Sequence, residues 1–176
     1  MMPARSILVL QGDPDEAFLL RLALGRAALG TSITFLASGL QTLAYIAGDS
    51  KYANRRIFPI PDLVLLDLDI QPLSGIEVLA WVRQLPLGRN LPIVSLSSLN
   101  EPALVRQARS LGANFHLFKP ATLRQVSATA RSLRRYWSEI AGARRPPNLH
   151  SMVPASREVA GPFRRWPGEK MRPYSD

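Results

Sequence analysis

The stretch 61–75, PDLVLLDLDIQPLSG, decides how the rest of the chain is read. Residues 63–66 form an unbroken apolar run rich in branched side chains, the pattern of a strand buried on both faces of a parallel sheet. The run stops at Asp67, and a Pro-Leu-Ser-Gly loop leads into a helical pattern. A carboxylate at the carboxyl end of such a strand lies where open α/β sheets place their ligands, although residues of this kind also cap turns. The stretch alone does not choose between these roles.

Upstream, SILVL at 6–10 reads as a first buried strand, and Asp13-Pro14 as the start of a helix whose first turn carries Asp15 and Glu16, where the helix dipole favours acids. Gly30 is the expected stop of that helix. Residues 33–36 read as a second strand, and Leu40, Leu43, Ala44 and Ala47 mark a second helix. The segment GDSKYANRRIFPIP is a polar, proline-containing connection longer than usual. Downstream, Val78, Leu79 and Val82 mark a third helix over 76–84, LPIVSL a fourth strand ending at Ser97-Ser98, and residues 101–111 a fourth helix closed by Gly112. FHLF at 115–118 is a short fifth strand ending in Lys119-Pro120. Strands alternating with helices predict a parallel sheet covered on both faces.

Leu123, Val126, Ala130, Leu133, Trp137 and Ile140 are spaced three and four apart, so the fifth helix carries one continuous apolar seam. Its first half is expected to pack on the sheet. Its aromatic end, around Leu133, Tyr136, Trp137 and Ile140, either covers the core or forms a partner or dimer surface. Beyond residue 143 the helical and strand periods stop, prolines gather and basic residues scatter, which predicts a domain over 1–143 and a basic, disordered tail over 144–176.

The chain has 176 residues, 47% of them hydrophobic and 20% charged, enough for one domain with a buried core and an appendage. It has no cysteine, which removes disulfides and thiolate metal sites from consideration. His116 and His150 make no transition-metal constellation, and there is no Gly-rich phosphate loop or nucleophile elbow. No apolar run approaches the length of a membrane span, so a cytoplasmic protein is expected. The net charge of +9, of which +4 lies in residues 141–176, favours acidic partners without naming one.

The blocks PDLVLLDLDIQPLSGIEVL, LPIVSLSS and GANFHLFKP, in this order and spacing, resemble the signature blocks of response-regulator receiver domains over about residues 6–140. The insertion YANRRIFPIPDL and the ending RSLRRYWSEI more narrowly resemble stand-alone receivers of the phytochrome-associated kind, which have no DNA-binding output domain. The resemblance implies a doubly wound α/β fold with a five-stranded parallel sheet in the order 2-1-3-4-5. It implies Asp67 as the phosphoacceptor position, Ser97 and Lys119 as phosphate-pocket residues with Pro120 following in the cis form, and His116 at the usually aromatic switch position. Gly75 matches the glycine that ends the loop, while Gln71 replaces the usual proline and Pro72 follows it.

The first strand departs from the pattern. Gln11 and Gly12 stand where receivers place two acidic residues that help the phosphoacceptor hold Mg²⁺. Magnesium needs oxygen ligands and in phosphoryl transfer neutralises the charge gathering on the transferred group. Asp13 and Asp69 are the nearest substitutes for metal ligation beside Asp67, each displaced from the usual position. With the pair gone, Asp67 and Lys119 are expected to balance one another without a metal. The expectation is a pseudo-receiver with no cofactor and no enzymatic activity of its own. It would act by binding proteins through Ser97, His116 and the fourth and fifth helices: a histidine kinase or phytochrome-type sensor, and a second copy of itself. Two rivals remain: phosphorylation of Asp67 with a rearranged metal site, and nucleic-acid binding by the basic tail together with Arg124, Arg131, Arg134 and Arg135, a reading weakened by the lack of a reading motif.

Overall fold

The computed structural model describes residues 5–98 and 101–142. Five parallel strands, β1 (Ser6–Leu10), β2 (Ser32–Leu36), β3 (Leu63–Asp67), β4 (Ile93–Ser97) and β5 (Phe115–Phe118), form one sheet in the order β2-β1-β3-β4-β5. The helices between and after them are α1 (Pro14–Ala27), α2 (Gly39–Ala47), α3 (Gly75–Gln84), α4 (Pro102–Ser110) and α5 (Leu123–Gly142). Every residue of β1, β3 and β4 is buried, which explains why these strands read as continuous apolar runs rather than alternating ones.

Alternate side chains on those strands serve two cores. Leu8, Leu10, Val64, Leu66 and Ile93 pack with α2, α3 and Ala108 of α4 on one face. Ile7, Val9, Leu63, Leu65 and Val94 pack with α1 and α5 on the other. Each such side chain, fully buried, stabilises the fold by about 1.5–3 kcal/mol. The sheet order matches the expected doubly wound arrangement, and it brings the carboxyl ends of β1, β3, β4 and β5 to one edge, where the candidate site lies.

Three details differ from the sequence reading. Helix α1 ends at Ala27, with Ala28 in the left-handed region (φ 49°), before Gly30 is reached. The stop comes early because Arg134 on α5 already satisfies the terminal carbonyls of α1, donating from Nε to Ala27 O and from Nη2 to Arg26 O, 2.9 Å each. The long connection after α2 is also not simply polar. It contains a 3₁₀ turn (Ser50–Ala53) that buries Tyr52 against Tyr45 and Phe58, and Arg55 donates to the Tyr45 and Ile46 carbonyls at 2.8 Å.

The third concerns the end of α5. Leu133 and Trp137 were candidates for an interface, but both are buried in the chain's own core against α1, with the Arg5 guanidinium 5.7 Å from the Trp137 ring. Tyr136 stacks on Phe115 of β5, and Ile140 packs beside the same core, partly buried. The seam covers itself because it runs along α1, which supplies Leu20, Ala23, Leu24 and Ala27 to the same cluster. The tail over 144–176 lies outside the described residues.

Candidate functional site

Asp67 closes β3 and is almost fully buried. Its backbone position is fixed from the far side by Gly75, the first residue of α3. A Cβ at Gly75 would stand 2.2 Å from Asp67 O and 2.6 Å from Leu68 Cα, so α3 can approach the strand end this closely only with glycine there. Ser74 starts α3 through a reciprocal capping box with Glu77. The intervening loop contains a cis peptide bond at Gln71-Pro72. Lys119-Pro120, which the resemblance placed in the cis form, is trans in this structure.

Lys119, at the end of β5, reaches into the pocket with its side chain largely buried. Its ammonium lies 2.7 Å from Glu16 Oε2, 2.8 Å from Asp69 Oδ2 and 3.3 Å from Asp67 Oδ1. The balanced Asp67–Lys119 pair expected from the sequence is therefore corrected: three carboxylates surround one ammonium, and the pocket keeps surplus negative charge. Glu16 was missed because in sequence it reads as a first-turn helix acid. Its contact with Lys119 spans 103 positions and follows from α1 and the β5–α5 connection meeting at one sheet edge.

The shifts of the charged groups follow from these distances. Burial pushes the Asp67 carboxyl above the ordinary aspartate range, against the lowering effect of the Asp69 N–H, which donates to Oδ1 at 3.0 Å, and of Lys119. Burial also works against the Lys119 ammonium, but hydrogen bonds to Asp69 and Glu16 outweigh it and hold its pKa above the usual lysine range. Lysine gains and Asp67 does not because the ammonium sits closest to the two outer carboxylates.

Continuing the β1–β3 register by one residue places Gln11 beside Asp67. Gln11 is buried; its Oε1 accepts from the Asp13 N–H at 2.9 Å, and its Nε2 has no hydrogen-bond partner. Exchanging the two amide atoms would set Nε2 against that N–H, so the hydrogen bond fixes which atom is which. Asp13 itself caps α1, its Oδ1 accepting from the Asp15 and Glu16 N–H groups at 2.9 Å. A Cβ on Gly12 would meet Ala37 O and Ile70 Cδ1 at 3.3 Å, so the space a second acid would use is crowded.

These residues are a poor match to magnesium, which takes oxygen ligands in near-octahedral geometry. The free amide atom of Gln11 is a donor, its carbonyl already accepts from the Asp13 N–H, Asp13 Oδ1 caps α1, and Lys119 Nζ stands where the carboxylates converge. Among the described residues no group of three or more acidic or histidine side chains is disposed to hold a metal ion.

Ser97, at the end of β4, is fully buried, and its Oγ donates to Ser98 O at 3.2 Å. His116 of β5 lies across the strand pair with Nε2 3.3 Å from Ser97 Oγ and Nδ1 2.9 Å from Ser95 Oγ. It is thus tied to the site through both ring nitrogens. Asp69 accepts from both the N–H and the hydroxyl of Ser98, at 3.2 and 3.1 Å, linking this strand end to the Lys119 cluster.

An acidic strand-end pocket of this composition on a sheet ordered β2-β1-β3-β4-β5 agrees with a sequence-profile match to the response regulator receiver domain over residues 7–131. The chain belongs to the response regulator receiver domain family. Among similar proteins, response regulator Rcp1 of Synechocystis sp. is 26% identical over 137 residues, covering 78% of this receiver and 91% of that protein. The probable methanogenesis regulatory protein FilR2 of Methanothrix harundinacea is 27% identical, covering 74% and 82% of the two chains. Among solved structures, the phosphorylated cyanobacterial phytochrome response regulator RcpA superposes with a TM-score of 0.69 at 25% identity, covering 77% of this receiver and 94% of that chain. A response regulator in red light signaling of R. palustris superposes with a TM-score of 0.67 at 31% identity, covering 76% and 91%. Among the described residues no helix is long and apolar enough to cross a membrane.

Proposed function

We propose that this receiver is a signalling protein that works by binding other proteins, with magnesium-dependent phosphorylation of Asp67 weak or absent. The observation that carries the reading is the pairing of a buried donor amide at Gln11 with the Lys119 ammonium seated among Glu16, Asp67 and Asp69. Without a Lewis acid, charge gathering on a transferred phosphoryl group has no dication to neutralise it, and the lost assistance of several kcal/mol corresponds to orders of magnitude in rate. The resemblance to the cyanobacterial phytochrome response regulator RcpA supports a phytochrome-type sensor as the partner.

The face that would meet partners, including a second copy of the chain, is built from α4, β5 and α5. Phe115 and Phe118 are exposed there, and Phe115 and Tyr136 line a shallow groove with Arg135 and Glu139. Nucleic acid has less support: Arg134 is engaged on α1 and Arg135 pairs with Glu139 at 3.5 Å.

One observation favours the second reading, phosphorylation of Asp67 with a rearranged metal site. Glu16 and Asp69 restore the three-carboxylate count that Gln11 and Gly12 remove, and displacement of Lys119 would leave them to a cation. Asp13, the other candidate, has its Oδ1 engaged in capping α1. Intact mass after incubation with acetyl phosphate and Mg²⁺, comparing the full chain with Asp67→Ala, decides between the two. The proposal expects no added phosphoryl group on the wild type; near-complete modification that disappears in the variant would establish the second reading.

A further inference from the structure

His116 lies on an edge strand, yet both of its ring nitrogens meet hydroxyls from the buried neighbouring strand. Ser95 and Ser97 are two apart on β4, so both side chains project from the same face toward the ring. Each hydroxyl also reaches a backbone carbonyl, Ser95 Oγ to Phe115 O at 3.3 Å and Ser97 Oγ to Ser98 O at 3.2 Å. A hydroxyl has a single hydrogen to give. When both hydrogens point at carbonyls, the ring must donate from both nitrogens, which describes the imidazolium. When the ring is neutral, one nitrogen becomes an acceptor, and one serine must turn its hydrogen from its carbonyl to the ring. The shorter contact is the one at Nδ1, 2.9 Å against 3.3 Å. With the neutral ring's proton on Nδ1, Ser97 is the residue that turns, and with it on Nε2, Ser95 is.

We propose that His116 is a proton-operated positioning residue for Ser97. The neutral ring draws the Ser97 hydrogen to Nε2, and the protonated ring returns it to the Ser98 carbonyl. The orientation of the hydroxyl at the pocket is then set by protonation on β5. Its effect travels along a continuous path: Ser98 is held by Asp69, and Asp69 holds Lys119. The inference deepens the reading above, because a pocket that responds poorly to phosphoryl donors still has an input of its own.

The charges facing the ring act in opposite senses. Burial disfavours the imidazolium, Arg109 of α4 disfavours it further, and Asp69 beyond β3 favours it. Ser95 and Ser97 bring no charge from β4, and the Phe118 ring meets the imidazole edge to face, with centroids 5.1 Å apart. The balance keeps the ring neutral at neutral pH and moves its titration to the acid side of the ordinary histidine range.

The test is a pH series of ¹H–¹⁵N spectra of the imidazole ring on the full chain carrying His150→Gln, which leaves His116 as the single histidine. The expected result is a neutral ring with its proton on Nδ1, a midpoint below the ordinary histidine value, and Ser98 and Asp69 amide shifts with that same midpoint. Ser97→Ala removes the hydroxyl that donates to Nε2 of the neutral ring and accepts from it in the imidazolium, and moves the midpoint by roughly half a pH unit. A neutral ring protonated on Nε2, or a titration that leaves the Ser98 and Asp69 amides unmoved, overturns the proposal. So does an unchanged midpoint in a folded Ser97→Ala chain. Modification of Asp67 by acetyl phosphate would refute the pocket reading without touching this titration, so the two failures are separable.

Discussion

Replacing Lys119 by Met keeps the unbranched stem and removes the ammonium that three carboxylates share. Two of the four groups are well buried, with side-chain exposures of 8% for Lys119 and 4% for Asp67, while Glu16 and Asp69 retain 36% and 24%. Breaking a buried ion pair by removing one partner costs about 3–5 kcal/mol. Water reaches the two outer carboxylates and screens their share, so the expected loss at neutral pH is nearer ~2–4 kcal/mol. The loss has a characteristic pH dependence. Lys119 is stabilised in its charged form, so its contribution persists as long as its carboxylate partners remain ionised. As pH falls through the raised Asp67 pKa that carboxylate protonates, and the difference between wild type and variant shrinks. Urea unfolding followed by the fluorescence of the buried Trp81 and Trp137 measures it across that range. Asp69→Asn in the Lys119→Met background should recover part of the loss, because it removes one of the stranded charges. A loss below about 0.5 kcal/mol, the scale of an exposed ion pair, or one that does not change with pH, would refute the argument that Lys119 holds the cluster together.

Asp67→Asn should stabilise the fold at neutral pH. Burial raises the Asp67 pKa, so the folded state favours the proton, and stability falls as pH rises from the ordinary aspartate value through the raised one; the variant loses that dependence, which thermal unfolding at several pH values would reveal. Gly75→Ala should cost about 3 kcal/mol or more and shift the Asp67 backbone resonances, because the new Cβ would stand 2.2 Å from Asp67 O. Gly12→Ala, with contacts of 3.3 Å, should cost no more than about 1 kcal/mol in the same urea measurement. Trp137→Ala should cost about 3–5 kcal/mol by urea unfolding, the loss expected when a buried aromatic leaves a cavity between α1 and α5.

The fold was legible in the sequence because β1, β3 and β4 are buried on both faces and α1 begins at a recognisable cap. SILVL, LVLL and IVSL carry the sheet, and Asp13-Pro14 marks the start of α1 where the structure places it. Helix ends were less legible. Arg134 terminates α1 from more than a hundred residues away, and no local signal for that exists. The site was half legible. Asp67, Ser97 and Lys119 can be picked out as strand-end residues, and His116 follows from its offset to Lys119. The partners of these groups depend on which strand ends lie side by side. Glu16 reads as an ordinary helix-dipole acid, and Asp69 as a residue past the strand, until α1 and the ends of β3 and β5 are brought together. The cis form assigned to Lys119-Pro120 rested on resemblance alone and does not hold.

The Arg134 contacts have a mechanical consequence. With its guanidinium bonded to the last carbonyls of α1, and with Leu133 and Trp137 wedged against the same helix, α5 and α1 behave as one clamped beam along their face of the sheet. On the opposite face α4 is lightly anchored, since Ala108 is its one buried residue. Local opening follows the weakest packing, so the amides of α4 are expected to exchange before those of α1 and α5. The moving part of this molecule is thus set by where it is bolted down.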